Sequence, residues 1–86
     1  MSAYNDISDE EQKAAERIAT RELAAHLKIP EEKLKVSFDP VIRTLWRYRI
    51  KGTIFFPNAS PFFSIVLNAD NGLPGDYQLV SLGINR

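Results

Sequence analysis

At 86 residues, with eleven basic and eleven acidic side chains and no cysteine, the chain has room for one hydrophobic core and no disulfide to brace it. Zero net charge sets up no global field toward nucleic acid or a membrane surface, and no apolar run approaches the roughly 20 residues of a membrane-crossing helix. With 44% hydrophobic residues, wholesale disorder is excluded too, and a domain this small gains stability by associating with itself or with another protein.

The opening "MSAYNDISDE" has neither a basic n-region nor an apolar h-region, so the expected location is cytoplasmic. The segment "SDEEQKAAERIATRELAAHLK" reads as one helix. Ser8 and Glu11 form a capping-box pair, in which the hydroxyl accepts from a free amide and the carboxylate reaches back to the cap N–H. Ala14, Ala15, Ile18, Ala19, Leu23 and Leu27 recur at steps of three and four, a narrow apolar stripe suited to close approach on a sheet. Pro30 ends the helix.

Beyond Pro30 the period changes to two. "KLKVSFD" alternates Leu34, Val36 and Phe38 with polar residues, and Asp39-Pro40 turns the chain. "LWRYRIK" alternates Trp46, Tyr48 and Ile50 with Arg47, Arg49 and Lys51. "PFFSIVLNA" is apolar on both faces, "ADNGLPGD" is a loop, and "DYQLVSLGI" is a last strand. The expected fold is α+β: one N-terminal helix on a four-stranded antiparallel meander, in a single domain over 1–86. In element order this resembles the cystatin-like arrangement and, more loosely, small peptidase-propeptide domains. The Gln-x-Val-x-Gly and Pro-Trp hairpins of inhibitory cystatins do not occur, so no site residues carry over.

The stretch "TIFFPNASPFF" sets the faces of the sheet. If "PNASP" is the whole hairpin loop, Phe56 lies opposite Phe62 and Phe55 opposite Phe63, one pair on each face. With the phase kept through Gly52, the outer face of the next strand would be more apolar than its core side. A bulge at Gly52 flips the phase and gives the better core: Trp46, Tyr48, Ile50, Phe55, Phe63, Ile65, Leu67, Val80, Leu82 and Ile84. The face away from the helix then keeps Ile54, Phe56, Phe62, Val66, Tyr77 and Leu79, flanked by Arg47 and Arg49. Loops, the N-terminal arm or sheet curl are the other means of covering such a patch, but a contiguous apolar surface usually marks an interface.

Groups for catalysis are sparse. His26 is the only histidine, near a helix end where it complements the dipole, and no nucleophile motif accompanies it. Asn68, Asp70, Asn71 and Asp76 lack calcium-loop spacing, and their glycines and proline suffice for turns. Asn58-Ala59-Ser60 matches a glycosylation sequon but reads as a hairpin tip. The expectation is therefore a non-enzymatic protein-interaction module, an adaptor, inhibitor or regulator, with no cofactor or metal. Its partner is another protein or a second copy. The alternative is single-stranded nucleic-acid binding through Arg43, Arg47, Arg49 and Lys51; against it, the strand's aromatics fall on the parity opposite its arginines.

Overall fold

The computed structural model describes residues 7–85; the reading of the N-terminal arm therefore lies largely outside the described residues. Helix α1 (Asp9–Leu27) begins with the capping box in place: Glu11 N–H donates to Ser8 Oγ at 3.1 Å, and Ser8 N–H donates to Glu11 Oε1 at 3.3 Å. It ends where Lys28 turns left-handed (φ 60°) and the N–H of Ile29 donates back to the Ala24 carbonyl. Ala14, Ala15, Ile18, Ala19, Leu23 and Ala24 are buried, so the small-residue stripe lies directly on the sheet. A single 3-10 turn, Glu31–Lys33, leads into the strands.

Five antiparallel strands follow: β1 (Val36–Phe38), β2 (Ile42–Thr44), β3 (Arg47–Ile54), β4 (Phe62–Asn68) and β5 (Gln78–Asn85). The main order is β1-β3-β4-β5, and β2 shares the β1 edge of β3. The helix-on-antiparallel-sheet architecture is thus the α+β class expected, with β2 as an added strand. It arises because Asp39, Pro40 and Val41 lie against only Lys51 and Ile50 of β3. The extra residue flips the alternation. Val41 then points into the core, its N–H held by Gln12 Oε1 at 3.0 Å, while Ile42 points away.

The register corrects the expected faces. Gly52 pairs with Phe63 in an unbroken ladder from Arg47 to Thr53, so there is no bulge at Gly52. The hairpin closes further along instead. Thr53 pairs with Phe62, Ile54 N–H donates to the Pro61 carbonyl, and Phe56 N–H to the Ala59 carbonyl, leaving Pro57 and Asn58 at the tip. Moving the closure by an odd number of residues has the same effect on β4 parity that a bulge would have had. Tyr48, Ile50, Gly52 and Ile54 therefore share the helix side with Phe63, Ile65 and Leu67, and all of these residues are buried. Ile54, expected outside, is fully buried. Trp46, Phe55 and Val80, expected in the core, are exposed.

The second correction lies in β5. Val66 pairs with Ser81 but Leu67 with Leu79, so Val80 is an extra residue in an otherwise regular ladder. Leu82 and Ile84 pack against the core as expected, whereas Leu79 falls opposite buried Leu67 rather than on the outer face. Each fully buried aliphatic side chain contributes about 1.5–3 kcal/mol, and among the described residues these come from one contiguous cluster between α1 and the sheet.

Candidate interaction surface

Among the described residues no element covers the side of the sheet opposite α1. That outer face is built from alternate strand positions. β3 contributes Arg47, Arg49, Lys51 and Thr53; β4 contributes Phe62, Ser64, Val66 and Asn68; β5 contributes Ser81, Gly83 and Asn85; β2 contributes Ile42 and Thr44. Phe62 is the most exposed aromatic there, at 64%. No carboxylate stands at any of these positions. Most of the acids lie on α1 and the turn after it, where they alternate with Lys13, Arg17, Arg21, Lys28 and Lys33.

Arg47, Arg49 and Lys51 stand in a row with about 6.8 Å between neighbours. Arg47 Nε donates to Asn68 Oδ1 of its cross-strand partner at 3.1 Å. The one ion pair among the described residues, Arg43 to Glu11 at 3.1 Å, lies on the helix side and draws nothing from this row. Gly83 sits in the same face with nothing within 4 Å of where its Cβ would be. The result is a shallow depression of about 310 Å³ bordered by Lys51, Phe62, Ser64 and Asn85.

Of the residues expected at an interface, Arg47, Arg49, Phe62 and Val66 come together on this face. The rest do not. Ile54 is core. Phe56, beyond the ladder, packs half-buried against the core. Tyr77 belongs to the helix side: its hydroxyl donates to Glu22 Oε2 at 2.7 Å and accepts from Arg21 Nη2 at 3.0 Å. Leu79 is exposed, but at the bulge opposite Leu67.

Sequence reasoning did not select Ile42 and Gly83 as site residues, and it named Lys51 only for the nucleic-acid alternative. Lys51 was signalled by alternation with Arg47 and Arg49; Ile42 and Gly83 needed the register. Two further exposed apolar side chains, Leu45 (76%) and Trp46 (52%), form the tip of the β2–β3 hairpin. Leu45 adopts φ 57°, a left-handed conformation that disfavours a branched side chain.

The opposite side carries a polar clamp. Glu11 Oε2 accepts the Tyr48 hydroxyl at 2.6 Å and Arg43 Nη1 at 3.1 Å, tying the start of α1 to β2 and β3. The Tyr48 bond, followed by the cap and Arg43, holds the Glu11 carboxyl below the usual carboxylate value despite its partial burial. Burial, then the carboxylate beside it, pushes the Tyr48 phenol up. Gly72, at φ 80°, closes over this clamp, and a Cβ there would lie 3.6 Å from the Tyr48 hydroxyl.

Among the described residues no three of His, Cys, Asp and Glu gather as metal ligands, and no helix is long and apolar enough to cross a membrane. Asp70, Asn71 and Asp76 border an open depression with Tyr77 and Gln78. No family model, curated protein or solved structure matches this chain, so its function must be argued from the surface itself.

Proposed function

We propose that the chain is a cytoplasmic, non-enzymatic protein-interaction module that docks through the outer face of its sheet. The partner surface it fits is apolar at its centre and carries carboxylates. One observation carries the reading: the cationic row Arg47, Arg49 and Lys51 shares an uncovered face with exposed Phe62, and none of the strand positions named for that face holds an acid. Arginine beside an exposed aromatic is the composition of interface hot spots. The depression at Gly83 offers room for an inserted side chain. Affinity capture from native extract is the test, with the Phe62→Ser and Arg49→Glu variants alongside. Each variant should lose a partner that the parent retains while unfolding at an unchanged temperature; equal capture by all three rejects the face.

A second reading, single-stranded nucleic-acid binding, is favoured by the same juxtaposition. Phe62 can stack a base on the face where the cations would meet phosphates, an arrangement missed when only Trp46 and Tyr48 were considered. It requires oligonucleotide binding at low salt that weakens steeply as salt is added.

A further inference from the structure

The two edges of the sheet are unlike. On one side β1 and β2 are three residues each, separated by the one-residue slip at Asp39-Pro40-Val41. Pro40 has no N–H to offer there, and the Val41 N–H is already taken by Gln12. That edge is blunted. On the other side β5 runs eight residues, Gln78–Asn85, with no charged residue and no proline.

The ladder determines which groups β5 leaves free. Ile54 and Ala69 N–H groups donate to Pro61 and Trp46 carbonyls, so even-numbered residues of β3 and odd-numbered residues of β4 bond one another. Phe62, Ser64 and Val66 therefore turn toward β5 and bond Asn85, Gly83 and Ser81. Leu82 and Ile84 are left directing their N–H and C=O groups to the open edge. Their side chains, half-buried on the helix side, form the rim of the core where it meets solvent.

From this we propose that β5 pairs antiparallel with β5 of a second copy, making one continuous ten-stranded sheet with both helices on the same side. This names a partner for the interaction module but uses the sheet edge, not the outer face. Two observations favour a second copy over a foreign strand, and a third limits the assembly to a pair. An uncharged strand brings no like charges opposite itself and offers a foreign strand no charge to read. A two-fold axis through Leu82–Ile84 places each apolar rim against its duplicate, extending both cores. The blunted β1/β2 edge prevents β5 of one copy from docking there on the next, so pairing closes as a dimer instead of growing into a fibre. A single strand pair is a small interface, so the dimer is weak and concentration-dependent.

Light scattering across a concentration series up to several hundred micromolar tests this. The mass should rise from 9.8 kDa toward twice that value. The native chain has no thiol, so single cysteines report geometry cleanly. Ser81→Cys, about 14 Å from its counterpart across the axis, should be joined between chains by a bis-maleimide of matching span, and Asn58→Cys, at the β3–β4 hairpin tip, should not. A mass of 9.8 kDa throughout overturns the proposal, as does equal cross-linking at both positions. So does a dimer that Phe62→Asp abolishes while Ser81→Cys stays unlinked, which would move self-association to the outer face. Partner capture through Phe62 is read separately and stands or falls without affecting the edge.

Discussion

Phe63 stands opposite Gly52 in the β3–β4 register, and two atoms of its ring would lie 2.9 Å from a Cβ placed on that glycine. From the neighbouring strand the Ser37 carbonyl would be closer still, at 2.0 Å. The Phe38 ring, paired across the same glycine, meets Phe63 edge to face at a centroid distance of 5.7 Å. Gly52 is therefore the floor on which two core aromatics pack, not a break in the strand.

Gly52→Ala should destabilise the fold by about 2–3 kcal/mol, because backbone as well as a ring must shift. Urea unfolding measures the loss. A cost below half a kilocalorie would mean that β1 is not held at this position.

Glu11 couples stability to acid. Its folded carboxyl is held below the ordinary value of 4.5, first by the Tyr48 hydroxyl, so its stabilisation is complete above that pH and lost as pH falls through the folded value. Glu11→Gln should cost about 1–2 kcal/mol at pH 7 and much less near pH 3. Paired urea titrations at the two pH values check the sign: a gap that widens in acid contradicts the clamp.

Leu45 is strained at the β2–β3 tip. Leu45→Asn, a residue that tolerates φ 57°, should raise stability by about 0.5–1 kcal/mol, read as a thermal midpoint several degrees higher. An unchanged or lower midpoint would show that the leucine side chain contributes packing its 76% exposure does not suggest.

Gly83→Thr separates folding from binding. Open space around Gly83 and its strand conformation should make threonine stabilising by about 0.5–1 kcal/mol. The new side chain fills the depression beside Phe62, so capture of a partner should fall several-fold while the midpoint of unfolding rises. If both rise together, the depression takes no part in docking.

The parts of this fold legible in the chain are those set by neighbours in sequence. Ser8 and Glu11 cap α1 because three residues bring them together, and the alanine stripe names its buried side by spacing alone. Alternation in "RYRIK" likewise separated Tyr48 and Ile50 from the cations that now line the outer face. For the residues expected at an interface, the side of the sheet was legible for half: Arg47, Arg49, Phe62 and Val66 share the outer face, while Ile54, Phe56, Tyr77 and Leu79 do not.

Period two carries no information about which of its two faces is inside, and a slip of one residue exchanges them. Three slips decided the matter here: the closure of the hairpin at Pro57-Asn58, the extra residue at Asp39-Pro40-Val41, and the bulge at Val80. Each is settled by contacts between distant residues, such as Phe38 and Phe63 meeting over Gly52 or Gln12 holding the Val41 N–H. Local spacing alone specifies the helix, its cap and buried stripe, the antiparallel class and the basic strand. Which phenylalanine faces the core and which faces outward follows from the pairing of the strands, because register is a property of pairs of strands rather than of either one.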